Sequence, residues 1–89
     1  MKALRIDLEY LIKRAEALGL DESDLRTSVE FLEHREFGLC FDTIITQMYE
    51  RSIVIDPAFY ELVSRIGNQM DVDEDHYTFL VNLIVDVPL

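Results

Sequence analysis

The stretch KALRIDLEYLIKRAEALGL, residues 2–20, decides the fold. Within it Leu4, Leu8, Leu11, Ala15 and Leu18 recur at spacings of four, three, four and three. An α-helix turns once every ~3.6 residues, so these side chains line up as one narrow apolar stripe, with the charges mostly elsewhere. Gly19 follows as the residue that enters the left-handed conformation and stops the helix. A helix with one apolar stripe has to bury it against other elements, and the rest of the chain offers them in helical period.

Asp21 or Ser23 is placed to cap a second helix, whose apolar positions are Leu25, Val29 and Leu32 with Phe31 to one side. A break at residues 33–36 precedes a third helix. There Phe37, Phe41, Ile44, Ile45 and Met48 make a wide apolar face, opposite Asp42, Thr43, Thr46, Gln47 and Glu50. Residues 52–55 are ambiguous: Ile53, Val54 and Ile55 suit an extended piece, but no other segment of similar character offers it a partner. Asp56-Pro57 reads as an N-cap followed by proline at the first helical position, where a missing N–H costs nothing. The fourth helix turns Phe59, Leu62, Val63, Ile66 and Met70 inward. After the acidic turn Asp71-Val72-Asp73-Glu74-Asp75 a fifth helix is expected, with Tyr77, Leu80, Val81 and Ile84 as its core face and an end before Pro88. The expected fold is all-α, a small antiparallel bundle of about five short helices in one domain spanning residues 1–89.

Nearly half of the residues are apolar (49%) and 29% are charged, the balance of a folded domain rather than a disordered one. The net charge is −10 and it is unevenly spread. Through Leu18 four basic residues face three acidic ones, whereas from Gly19 onward four arginines face fifteen acids. Such a field repels nucleic-acid phosphate and anionic lipid and attracts basic partners, although acidity also serves plain solubility. The first residues lack a continuous apolar run of signal-peptide type, and no stretch of about 18 apolar residues exists to span a bilayer. A cytoplasmic location is the expectation.

The residues that carry chemistry are sparse. Cys40 is the only cysteine and lies between Leu39 and Phe41, so it reads as a small core residue. Neither His34 nor His76 has a second histidine or a cysteine three or four positions away, which argues against a zinc centre. Asp71, Asp73 and Asp75 alternate as in a calcium loop, but His76 stands where that loop needs glycine and Asn82 where a bidentate glutamate should close it. Gly19, Gly38 and Gly67 are scattered singly, so no phosphate-cradling loop forms. No catalytic residue, metal ligand or cofactor is assigned, and a binding role is expected in place of catalysis.

The middle of the chain carries a resemblance. The run Phe31-Leu32-Glu33-His34-Arg35-Glu36-Phe37-Gly38-Leu39-Cys40-Phe41-Asp42, followed by Gln47-Met48-Tyr49-Glu50, resembles small bacterial immunity proteins. These are the Maf-type immunity proteins and those of contact-dependent growth inhibition systems. They pair a Gly-Glu-aromatic-Gly-Leu-Ala-apolar-Asp run with a Leu-Tyr-Glu run. The likeness continues through Ile53-Val54-Ile55-Asp56-Pro57 to Tyr60 and Leu62 and covers roughly residues 4–84. Here Arg35 replaces the first glycine and Cys40 the alanine. The resemblance implies that Gly38 permits close packing at a helix start and that Phe41 fills the centre. It also implies an immunity protein that binds and neutralises a cognate toxin C-terminal domain. Together with the charge it points to a basic, nuclease-type toxin, since enzymes acting on phosphate substrates are basic.

The expected partner-binding residues are Asp42, Tyr49 and Glu50 on the third helix, with Asp71, Asp73, Glu74 and Asp75 in the acidic turn. The alternative from another class is a helical oligomerisation or regulatory adaptor, a homodimer paired through the heptad-like stripe of the first helix. Nucleic acid and membrane are not expected as partners.

Overall fold

The computed structural model describes residues 2–85 of the chain. Four α-helices follow one another: α1 (Lys2–Leu18), α2 (Glu22–Glu33), α3 (Phe37–Glu50) and α4 (Pro57–Gln69). Two 3₁₀ turns come after them, Glu74–His76 and Thr78–Leu83. The fold is all-α, as the periodicities require. Among the described residues there is no strand, only one isolated parallel bridge between Ile55 and Ile84.

The ion pairs fix the relative directions of the helices. Arg51 at the end of α3 bonds Asp24 at the start of α2, so these two run antiparallel. Arg14 near the end of α1 reaches Asp56 at the start of α4, while Arg65 and Gln69 near the end of α4 reach Asp7 at the start of α1. Arg5 donates to the carbonyl of Leu32 at 3.3 Å, joining the start of α1 to the end of α2. The α1 stripe lies inside this cage: Leu8, Leu11 and Ala15 are fully buried, and Leu4 nearly so. They share one core with Phe41, Ile44, Ile45 and Met48 of α3 and Phe59, Leu62, Val63 and Ile66 of α4. A coiled coil through the α1 stripe would have to open this core.

All four α-helices stop in the same way. Beyond α1, the Gly19 N–H bonds the Glu16 carbonyl and the Leu20 N–H bonds the Ala15 carbonyl, the Schellman pair that satisfies two orphaned acceptors. Residues 35 and 36, 52 and 53, and 71 and 72 repeat the pair beyond α2, α3 and α4. The motif needs a left-handed residue, and only α1 has glycine there, at φ 110°. Arg35 (φ 60°), Ser52 (φ 52°) and Asp71 (φ 57°) hold that conformation against the clash of a Cβ, a cost of about 1–2 kcal/mol. Arg35→Gly is expected to stabilise the fold by about 1 kcal/mol and raise Tm by roughly 4–8 °C. An unchanged melting curve would show that the strain is relieved elsewhere.

Three expectations are corrected in detail. On α2, the inward stripe is Leu25, Ser28 and Leu32, while Val29 is 37% exposed. Ser28 can be buried because its hydroxyl donates to the Asp24 carbonyl at 2.9 Å, leaving no polar group unpaired. The last helical element is 3₁₀ and not α, held by bonds such as Leu80 N–H to Tyr77 carbonyl and Ile84 N–H to Val81 carbonyl. With about three residues per turn, positions 77, 80 and 83 share the inner side and Val81 falls outside, half exposed. Pro88, taken as the limit of that helix, lies outside the described residues. Finally, the 52–55 piece does have a partner. The Ile55 N–H bonds the Leu83 carbonyl and its carbonyl accepts from the Val85 N–H, both at 3.0 Å.

Candidate functional site

On α3 the apolar face is turned to the core, which leaves Asp42, Thr43, Thr46, Gln47 and Glu50 on the outer side. The C-terminal segment runs alongside this helix in the same direction, meeting it at three levels. His76 Nε2 lies 2.8 Å from Asp42 Oδ1, the Phe79 ring meets Tyr49 edge-on at 4.9 Å, and Ile84 bridges to Ile55 just beyond the helix. Tyr77 and Leu80, both buried, drive this docking.

The expected binding residues are therefore partly gathered. Asp42 and the acidic turn meet through His76, which follows directly on the turn. Tyr49 is 45% exposed and its ring rests on Phe79. Glu50 is exposed at the far end of α3, about 12 Å along the axis from Asp42, since each helical residue rises ~1.5 Å. Asp71, Asp73, Glu74 and Asp75 are all exposed. Asp71 serves as the left-handed stop of α4, and Asp73 occupies the N-cap position of the first 3₁₀ turn. No side chain makes a cap hydrogen bond at the start of either 3₁₀ turn. Burial, with smaller contributions from Tyr77 and the charge of Glu74, pushes the Tyr60 phenol above its ordinary pKa.

The charge pattern is sharper than the composition suggests. Arg5, Arg14, Arg26, Arg51 and Arg65 are each paired with an acid, most of them as struts between helices. Glu50, Glu61, Asp71, Asp73, Glu74 and Asp75 stand exposed and form no ion pair among the described residues. Three of these pairs, Arg14–Asp56, Arg51–Asp24 and Arg65–Asp7, join different helices, so part of the basic charge is spent on the scaffold and the exposed acids keep a net negative field.

Two open grooves mark the surface. One, of about 400 Å³, lies between α1 and α2 and carries both signs of charge, with Arg5, Lys13, Glu9 and Glu33 around Ile12, Val29 and Leu32. The other, of about 330 Å³, lies between α2 and α3 and is lined by Asp24, Thr27, Leu39, Asp42, Thr43, Thr46 and Gln47. Its only charged groups are carboxylates. Of the expected binding residues only Asp42 lines this groove; Thr43, Thr46 and Gln47 come from the expected polar face of α3, while Asp24, Thr27 and Leu39 carry no expectation. The available signal was Leu39, an apolar residue off the apolar face of α3 and 48% exposed.

Gly38 is a further correction. A Cβ built on it meets nothing within 4 Å, so close packing is not its role. Phe41 does fill the centre, fully buried and edge-on to Tyr77 at 6.4 Å. Cys40 is fully buried, and burial pushes its thiol from 9.0 up to about 11. A thiol this short of thiolate is a poor nucleophile. Native protein should resist alkylation by iodoacetamide at pH 8 and label fully in urea, whereas rapid native labelling would contradict the burial. The folded chain also holds the thiol proton more tightly than the unfolded one. Stability should therefore be undiminished by this group below 9.0 and fall as pH rises toward about 11.

Among the described residues no group of three or more His, Cys, Asp or Glu side chains is arranged to hold a metal ion. No helix among them is long and apolar enough to cross a membrane. No protein-family model matches the chain, and no curated protein or solved structure matches it.

Proposed function

We propose that this protein is an immunity-type inhibitor that captures a basic toxin domain through the acidic flank formed by α3 and the C-terminal segment. The observation that carries the reading is the contact of His76 with Asp42, which draws the acidic turn and the outer face of α3 into one surface. A surface of one sign steers a partner of the other and raises its association rate, most strongly at low salt. The toxin-directed role comes from the resemblance of residues 35–42 and 48–50 to immunity proteins. The charge adds the class of toxin: a nuclease carries a basic face for phosphate, and an acidic protein can occupy it.

The first test is whether a reading frame beside this one encodes a large exported protein with a variable C-terminal domain, and the second is co-expression with that domain. Growth should be rescued and the two proteins should co-purify. Replacing Asp71, Asp73 and Asp75 with asparagine and Glu74 with glutamine should slow association about tenfold at low salt and leave dissociation nearly unchanged. Failure of rescue and of binding would remove the toxin-directed reading. An association rate indifferent to salt would remove the steering.

A further inference from the structure

We infer that the outer face of α1 pairs with the same face of a second copy of this chain, antiparallel and about a two-fold axis at Tyr10. The inference does not depend on the reading as an immunity-type inhibitor, and the face shares no residue with the acidic flank.

α1 carries a second stripe, opposite the buried one. Ala3, Ile6, Tyr10, Lys13 and Ala17 follow one another at spacings of three, four, three and four, and all five are exposed. Ile6, at 61%, is the most exposed large apolar side chain among the described residues, and Tyr10 stands at 49%. The solvent side of a packed helix is ordinarily polar. Single exposed apolar side chains need no explanation, but a run of them in heptad spacing is the seam by which helices pair. The one charged member, Lys13, forms no ion pair among the described residues. A single polar residue in such a seam fixes its register at some cost in stability.

Two features choose a second copy as the occupant. The stripe is nearly a palindrome in size: turned about Tyr10, Ala3 meets Ala17 and Ile6 meets Lys13, so small ends close on small ends. The aliphatic stem of Lys13 then covers Ile6 of the second copy. Its ammonium reaches Glu9 of that copy, which is exposed on the same flank and ~3 Å further along the axis. Parallel pairing would instead set Lys13 against Lys13. The second feature is charge. α1 is the only one of the four α-helices with a net positive charge, carrying Lys2, Arg5, Lys13 and Arg14 against Asp7, Glu9 and Glu16. Two copies of so acidic a chain meet there with the least repulsion. The helix has 17 residues and is ~26 Å long, so one such pair covers less than the ~800 Å² per partner of a standard interface. The dimer is accordingly weak, with a dissociation constant on the order of 10–100 μM.

The experiment is sedimentation velocity of the full chain at concentrations on both sides of that constant, where monomer should pass to dimer. Tyr10→Glu sets two like charges at the axis and should weaken association about tenfold or more. Its circular dichroism and melting curve should be unchanged, because the position is exposed. Val81→Glu, at an equally exposed apolar side chain outside α1, should leave association as it was. Direction is read by mixing Ala3→Cys and Ala17→Cys chains under a mild oxidant. Antiparallel pairing should give the mixed disulfide in preference to either homodimer, and the fully buried Cys40 stays out of the reaction. A monomer at every concentration, undiminished association of Tyr10→Glu, loss of association in Val81→Glu, or ready homodisulfides from each cysteine variant alone would each overturn the inference.

Discussion

Truncating Tyr77 to alanine is expected to cost about 3–5 kcal/mol, the range found when a large buried ring is removed. A chain of this length has roughly 4–13 kcal/mol in all, so the variant should sit at the edge of unfolding in plain buffer. The reason lies in how many elements the ring joins. Tyr77 is 2% exposed, lies edge-on to Phe41 of α3, tilts against Tyr60 of α4 at 6.0 Å, and has its hydroxyl 3.3 Å from Ser64 Oγ. It enters a notch at Gly67, where a Cβ would stand 2.7 Å from Tyr77 Cε2. Gly67→Ala should therefore destabilise by about 1–3 kcal/mol through overpacking, less the ~1 kcal/mol that alanine adds to helix propensity. In the Tyr77→Ala background the same alanine should be neutral or stabilising, since the ring it would strike is gone. Tyr77→Phe keeps the ring and should cost under about 1 kcal/mol. Urea denaturation of the four variants decides the matter. Additive losses in the double variant would show that the notch and the ring do not act as a pair.

Asp56→Ala is expected to cost about 2 kcal/mol, more than a surface acid normally would. One carboxylate does two jobs here. Its Oδ1 accepts from the Phe59 N–H at 2.7 Å as the N-cap of α4, and both oxygens accept from Arg14 Nη2 at 2.9 and 2.8 Å. Losing the cap accounts for about 0.5–2 kcal/mol, and losing a part-exposed ion pair for up to about 1 kcal/mol. Asp56→Asn separates the two, because asparagine caps a helix nearly as well but carries no charge. It should lose about 1 kcal/mol at most, and the loss should vanish in high salt. If asparagine costs as much as alanine, the pair with Arg14 outweighs the cap.

How far the sequence foretells this molecule depends on which force sets each feature. α1 was legible residue by residue because a period near 3.6 and a terminal glycine have one physical solution. The Asp56-Pro57 start of α4 was legible for the same reason, being a local hydrogen bond and a local ring constraint. Val29 and Ser28 were not, because hydrophobicity ranks valine inward while the carbonyl of Asp24 makes burial of the serine hydroxyl harmless. The 3₁₀ form of residues 78–83 was not legible either, since its cause is the docking of Tyr77 and Leu80 and the bridge at Ile84, all long-range. At the candidate site, charge and aromatic content pointed to Asp42, Tyr49 and the acidic turn. The contact joining Asp42 to the turn depends on His76, 34 residues away in the chain, and no local pattern encodes it.

The repeated helix stops have a consequence for recognition. Each connector begins with two amides already bonded back into the helix before it, at residues 19 and 20, 35 and 36, 52 and 53, and 71 and 72. The loops of this small protein therefore have little slack, and the acidic turn leaves α4 at a fixed angle. A partner that docks there meets a surface whose ordering entropy was settled during folding. Preorganisation of this kind would slow the dissociation of any partner bound there without adding a single contact.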